Sequence, residues 1–189
     1  MSRVDHSAPK EPPTNAWDRT WQPQLDAPPP DFESRSLGNH IDALKLEFIG
    51  SDMPKSGRAI EIGCGSARLL ARVGRAAPLQ LVGFDASMNA LRLAAATASH
   101  FQLAIHTARG DVRALPFESG AFDLVLSGGL LEHFEDPSPV LSEMVRILRP
   151  GGVFYADVVP RKLSLYRIGA ALRMLRSPWM EEGVVARKA

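Results

Sequence analysis

The sequence predicts an α/β fold in which helices cover both faces of a doubly wound, mainly parallel sheet. Short apolar runs alternate with amphipathic segments over residues 58–159, an order typical of parallel sheets. One run ends in Glu61-Ile62-Gly63-Cys64-Gly65 and passes directly into a helical pattern. Acidic residues end or follow three successive predicted strands, at Glu61, Asp85 and Asp111. Open parallel sheets bind their ligands at that edge.

The composition indicates one globular core in a chain of 189 residues that is 45% hydrophobic and 23% charged. A formal net charge of +1 gives no reason to expect nucleic acid. The single cysteine, Cys64, excludes an internal disulfide framework and a cysteine-only metal site, and no other metal spacing is present. The sequence has neither an apolar run of about 18 residues nor an N-terminal secretory pattern, which predicts a cytoplasmic protein.

The chain divides into a proline-rich arm (1–30), a ligand-binding domain (31–160) and a basic amphipathic helix with a tail (161–189). Seven of the 15 prolines lie in the arm, so we predict neither helix nor central strand there. Trp17 and Trp21 either pin the arm to the domain or help to close the substrate pocket. The basic helix is either a solvated cover on the sheet edge or a contact with a membrane or an anionic, lipid-linked substrate.

The elements of the domain follow from hydrophobic period and from helix stop signals. Ser87 is a candidate N-cap, and residues 149–152 predict a tight turn. The last strand is nearly all apolar, which predicts a central position. The predicted helices are 31–49, 66–76, 88–99 and 137–148, and the predicted strands are 58–62, 79–85, 101–108, 121–127 and 153–159.

The three acids suggest the ligand. A carboxylate only accepts hydrogen bonds, and its two oxygens suit a vicinal diol, so Asp85 is placed for a ribose. Asp111 could accept from an exocyclic amine such as that of adenine, and Glu61 could face an ammonium group. Together these groups fit S-adenosylmethionine better than a dinucleotide.

A nicotinamide-dependent oxidoreductase is the less favoured alternative. Its glycine fingerprint needs a third small residue, where this chain has Arg68. The carboxylate of Glu61, just before the first glycine, would also repel a pyrophosphate. The phosphate-binding G-x-x-x-x-G-K-[ST] pattern is absent.

Six short motifs, in this order, resemble class I S-adenosylmethionine-dependent methyltransferases. The similarity covers about residues 58–159 and is greatest to the small-molecule branch that includes the ubiquinone and menaquinone methyltransferases. It implies a Rossmann-like methyltransferase fold, S-adenosylmethionine as cofactor, and methyl transfer to a small-molecule or lipid-like acceptor. The motifs are Glu61–Gly65, Val82–Ser87, Gly110–Val112 with Leu115–Phe117, Phe122–Val125, Leu131–His133 with Asp136-Pro137, and Leu148–Gly152.

The resemblance also implies residue roles. Gly63, Cys64 and Gly65 would lie under the methionine part of the cofactor, with Glu61 facing its amino group. Asp85 would bind the ribose, with Ala86 and Met88 lining that side. Asp111 and Val112 would hold the adenine, and Ser127 and Gly128 would line the side of the methyl group.

Two departures from the family pattern matter. Ala67 stands where many members have a third glycine. The last one or two strands of the family sheet are missing from the pattern, so either the chain is truncated, or a partner or unusual packing covers the edge beside the fifth strand. This second departure motivates an alternative function, a truncated or partner-dependent protein with weak or no catalysis.

His133 is the candidate general base. It follows the fourth predicted strand at the pocket mouth, and histidine titrates near neutral pH. The alternative is that His133 only packs or caps locally in a turn that the family shares.

Overall fold

The computed structural model describes residues 14–158 and 182–187, with the backbone alone for residues 14, 15 and 182–187. The basic amphipathic helix predicted after residue 160 and the first part of the arm lie outside the described residues. The helices are α1 (Thr14–Trp21), α2 (Leu37–Ile49), α3 (Arg68–Ala76), α4 (Met88–His100) and α5 (Ser138–Ile147). The strands are β1 (Gly57–Ile62), β2 (Leu79–Asp85), β3 (Ile105–Arg109), β4 (Phe122–Gly128), β5 (Leu148–Val158) and β6 (Glu182–Arg187).

The sheet has the order β3-β2-β1-β4-β5-β6. The first five strands pair in parallel, and β6 is antiparallel to β5. The chain therefore winds outward from β1 to β3 and returns on the other side at β4. The predicted doubly wound, mainly parallel fold is confirmed. Its topological switch point lies between β1 and β4, where such folds bind ligands.

Strand alternation divides the core between the two faces of the sheet. Ala59 of β1 packs in the cluster that contains α3 residues. Ile60 and Ile62, whose side chains point to the opposite face of β1, pack in the cluster that contains α5 residues such as Met144. The same alternation turns Glu61 toward the α3 face, where an acid is unusual in a buried strand.

The prediction of no helix in the arm is wrong, because α1 spans Thr14–Trp21. Helix α1 contains no proline and lies between Pro13 and Pro23, so the flanking prolines bound it without interrupting it. Helix α2 begins at Leu37 and not at residue 31, because the hydroxyl of Ser36 accepts from the amide of Asn39 and caps it.

Strand β3 begins later than predicted. Phe101 ends α4, and Gln102 has a left-handed φ of 55°, so the chain turns before it becomes extended. Strand β5 begins earlier than predicted, at Leu148. The expected turn at 149–152 is an irregularity inside β5, because Phe122 pairs with Leu148 while Leu124 pairs with Val153.

Strand β6 is a correction to the predicted tail. Its six residues pair with Val153–Val158, so this chain itself covers the edge for which we expected truncation, a partner or unusual packing. The pairing leaves β5 inside the sheet, as its apolar sequence predicted. Among the described residues, no helix combines the length and apolarity needed to cross a membrane.

Candidate functional site: a cavity at the switch point

A cavity of about 760 Å³ opens at the carboxyl ends of β1, β2 and β4. Volumes of this order are typical of ligand pockets. Its wall contains the predicted base, His133, and nine of the eleven predicted cofactor-binding residues: Glu61, Gly63, Cys64, Gly65, Asp85, Ala86, Asp111, Val112 and Gly128. Residues that the sequence places up to 72 positions apart, from Glu61 to His133, therefore share one site, because parallel strands end at one edge.

The glycine bend, residues 63–65, is anchored to β2. The amides of Gly63 and Cys64 both donate to the carbonyl oxygen of Phe84, at 2.8 and 3.1 Å. Gly63 and Gly65 have φ values of +70° and +51°, which favour glycine. Ala67 also lies in the left-handed region, at φ 55°. A glycine would adopt this conformation without strain, whereas alanine there costs about 1–2 kcal/mol.

The Glu61 side chain extends from β1 and is buried against the first turn of α3. Its Oε2 accepts from the amide of Leu70 at 3.2 Å, one of the N–H groups that a helix leaves without an internal partner. Burial raises the pKa of Glu61 to about 8, although the Leu70 hydrogen bond and the charge of Lys45 act in the opposite direction. A buried acid beside a cavity is suited to receive an ammonium group, which would restore its charge.

The raised pKa of Glu61 gives a pH-dependent stability. An unfolded glutamate titrates near 4.3, so the unfolded chain loses its proton first as the pH rises. The Glu61 contribution is fully present below about pH 4.3 and is lost as the pH rises toward about 8. We expect Glu61→Gln, which keeps an acceptor for Leu70, to be the more stable protein at pH 8 by a few kcal/mol.

Urea unfolding of both proteins at pH 5, 6.5 and 8 measures this effect. The difference in free energy of unfolding should grow with pH. Two proteins whose stabilities change in parallel over this range would show that Glu61 titrates normally.

Asp85 is buried and its two oxygens are held by the backbone. Oδ2 accepts from the amide of Gly65 at 2.9 Å, and Oδ1 accepts from the amide of Ser87 at 2.8 Å. Burial raises the pKa of Asp85, and these hydrogen bonds act against the rise. Each oxygen keeps a second lone pair, so the carboxylate can accept from two neighbouring hydroxyl groups.

Asp111 differs from the other two acids because it already forms an ion pair with Arg113. The guanidinium of Arg113 lies 2.7 Å from its Oδ2, and both groups are about half exposed. This hydrogen bond is the main reason that the pKa of Asp111 is lowered. An amine bound here would share the carboxylate with Arg113. The neighbouring Val112 is buried and lines the cavity.

Two predicted residues lie off the cavity wall. Met88 is the first residue of α4 and is 40% exposed. Ser127 is buried in β4, and its hydroxyl oxygen has no hydrogen-bond partner among the described residues. Neither is among the residues that line the cavity. Their predicted contacts with the cofactor stay predictions.

Helix α1 contributes Trp17 and Trp21 to the cavity wall. Its contacts hold this part of the arm on the domain, as one interpretation predicted, and a role of the tryptophans in closing a substrate pocket stays a prediction. The Trp17 ring meets His133 edge-on, with ring centroids 4.7 Å apart. Trp21 lies over the bend, so close that a Cβ on Gly65 would be 2.6 Å from its ring. Asp18 pins α1 to α4 by accepting from Ser87 Oγ at 2.6 Å and from the amide of Asn89 at 3.2 Å.

Sequence reasoning missed Asp18, Lys45, Arg109 and Asp157. Lys45 and Arg109 line the cavity, and Arg109 Nε donates to the Ala86 carbonyl at 2.9 Å. Lys45 pairs with Asp157 across 3.1 Å. The Lys45–Asp157 partners are far apart in the chain, and nothing in the local pattern connects them. A polar residue within the apolar run of β5 was the one available signal for Asp157.

A family model described as a methyltransferase domain matches residues 60–156. The chain belongs to this family. The resemblance to class I S-adenosylmethionine-dependent methyltransferases is thereby confirmed, together with S-adenosylmethionine as the cofactor of the family. The nicotinamide alternative is not supported. The matched range of the methyltransferase domain begins in β1 and ends in β5, so it contains the glycine bend and all three acids.

Similar proteins agree with this membership. The ubiquinone biosynthesis O-methyltransferase of Ralstonia nicotianae is 31% identical over 139 residues, which cover 72% of this chain and 58% of the relative. A solved structure from Pyrococcus horikoshii OT3 is 26% identical with a TM-score of 0.64, and covers 74% of this chain and 62% of that one. This chain thus spans little more than half the length of the curated relative.

The cyclase SpnF shows that this fold does not by itself determine the reaction. Its structure matches with a TM-score of 0.64 at 21% identity, over 77% of this chain and 58% of that one. This similarity shows the fold alone. The reaction of this chain therefore depends on the residues of its own site.

The residues present fit the cofactor. Glu61 offers a buried carboxyl group beside the bend, and Asp85 offers two oriented oxygens. Gly63 keeps the backbone of the bend free of side chains, although Leu130 packs close to it. Trp21 lies over Gly65, so α1 is part of the wall that a bound cofactor would touch.

Proposed function

We propose that this chain transfers a methyl group from S-adenosylmethionine to a hydroxyl group of a small-molecule acceptor. The pair of buried acids that flank the glycine bend, Glu61 and Asp85, carries this proposal. Both line the cavity at the switch point, and Glu61 is suited to an ammonium group while Asp85 is suited to a ribose. The name of the Ralstonia relative supports oxygen as the accepting atom.

In this proposal the cofactor supplies an electrophilic methyl group: a bond from sulfur to carbon breaks, one from carbon to the acceptor oxygen forms, and S-adenosylhomocysteine and a proton are released. The chain positions the reactants and excludes water, which can contribute about 7–11 kcal/mol. Trp17, Trp21 and Phe134 contribute large aromatic side chains to the wall. His133 also lines the cavity, and we propose that it accepts the proton of the acceptor.

Calorimetric titration with S-adenosylhomocysteine tests the cofactor part of the proposal. We expect micromolar binding and weaker binding of NADH. Incubation with methyl-labelled S-adenosylmethionine and a panel of phenols should then yield labelled ether. A folded sample that binds no S-adenosylhomocysteine would overturn the proposal and favour a methyltransferase-fold protein that depends on a partner.

We further propose a lipid-like acceptor and a cytoplasmic location. The aromatic wall supports an apolar acceptor body, because Trp17, Trp21 and Phe134 bury large apolar surfaces. A peripheral membrane or protein contact through the basic segment after residue 160 is proposed from the sequence alone.

A further inference from the structure

A buried ion pair stands at the edge of the cavity, where β4 and β5 end. Lys45 Nζ of α2 lies 3.1 Å from Asp157 Oδ2 of β5, with side-chain exposures of 15% and 1%. Only the lysine lines the cavity. A Cβ built on Gly128 would lie 3.4 Å from Asp157 Oδ2 and 3.5 Å from Lys45 Nζ. The absence of a side chain at Gly128 therefore leaves space beside the ion pair.

The backbone fixes the carboxylate that holds Lys45. The amide of Gly129 donates to Asp157 Oδ1 at 3.1 Å, so one oxygen is bound by the main chain and the other faces the ammonium. An ammonium group carries three donors. It can therefore keep Asp157 and still donate to an oxygen of a bound molecule.

The position of this cation matters because the surrounding groups are acidic. The charge of Lys45 lowers the pKa of Glu61, so its ammonium acts on that buried acid as well as on Asp157. A neutral or cationic acceptor needs no such charge. An ionisable hydroxyl group does, because a nearby ammonium stabilises the oxygen as it becomes negative.

We propose that Lys45 binds the ionisable hydroxyl of the acceptor and selects acceptors, such as phenols, whose oxygen can carry negative charge. This inference rests on the proposed function and specifies the substrate class for the same site. The aromatic wall formed by Trp17 and Phe134 suits the ring of such an acceptor. A purely structural role, tying α2 to the sheet, would give Lys45 no effect on the ionisation of a bound phenol.

The probe is 4-nitrocatechol, whose absorption reports its ionisation directly. It is titrated against pH in the presence of the full chain, with and without S-adenosylhomocysteine. Lys45→Met alone would leave Asp157 buried and unpaired, which can cost about 3–5 kcal/mol. The main test variant is therefore Lys45→Met combined with Asp157→Asn, and Lys55→Met at an exposed position is the matched control.

We expect wild type and the Lys55 variant to lower the apparent pKa of the bound probe. In the double variant the ionisation constant of the bound probe should be about tenfold smaller than in wild type. Equal values in wild type and the double variant would overturn the proposal, as would the absence of saturable binding to wild type. Separate titration with S-adenosylhomocysteine keeps the two claims apart. Loss of cofactor binding contradicts the proposed function, whereas the probe result without cofactor still decides the role of Lys45.

Discussion

Asp85→Ala is expected to weaken S-adenosylhomocysteine binding by about 100-fold or more. A charge-assisted hydrogen bond contributes about 1.5–3 kcal/mol, and the substitution removes an acceptor for two ligand hydroxyl groups. It also removes the partner of the Gly65 and Ser87 amides. The bend and the start of α4 would lose the group that joins them, so the site would lose shape as well as charge.

Calorimetry at constant pH measures the change, with Asp136→Ala as the matched control. Asp136 is exposed and accepts from the amide of Ser138 before α5, away from the residues that line the cavity. Its variant should bind as wild type does. An Asp85→Ala protein that is folded by circular dichroism and binds within about threefold of wild type would remove Asp85 from the site.

The three acids of the cavity wall differ in their hydrogen bonds, burial and charge partners. The backbone amides of Gly65 and Ser87 fix the two oxygens of Asp85. Burial raises the pKa of Glu61 to about 8, so Glu61 gains charge when a cation arrives. Asp111 is ionised and already paired with Arg113. The two buried acids therefore define the proposed site more sharply than the exposed one.

Local patterns predicted the parallel sheet and the buried acids. The strand that ends in an acid before two glycines is recognisable from a few consecutive residues. The same holds for the serine cap at Ser87, whose hydroxyl accepts from the amide of Ala90. Parallel winding then brings Glu61 and Asp85 to one edge without further information. These features depend on short-range chemistry, which a sequence states directly.

The features that were missed depend on contacts between distant parts of the chain or on the exact position of a residue around a helix. Lys45 meets Asp157 only after α2 packs beside the sheet. Helix α1 fits between prolines whose number suggested an irregular arm. Met88 lies only one position before Asn89, yet Met88 is exposed and Asn89 is buried. A shift of one residue on a helix turns a side chain by about 100°, which sequence boundaries do not resolve.

Phe84→Ala is expected to cost about 3–5 kcal/mol of the free energy of unfolding. The ring is fully buried in the core cluster on the α5 face. It meets Phe117 edge-on with centroids 5.8 Å apart, and a Cβ on Gly110 would lie 2.6 Å from its Cζ. Such close packing on several sides leaves a cavity when the ring is removed, because the neighbours cannot all collapse into it.

The same residue separates core packing from ligand binding. Phe84 holds the glycine bend through its backbone carbonyl, which alanine retains. Well below its lowered unfolding midpoint, the variant should therefore bind S-adenosylhomocysteine within about threefold of wild type. Urea unfolding measures the loss, and Phe48→Ala, at a side chain that is 56% exposed, should cost less than about 1 kcal/mol. Equal losses for the two variants would place Phe84 outside the core, whereas lost binding in a folded Phe84→Ala protein would show that the ring itself shapes the bend.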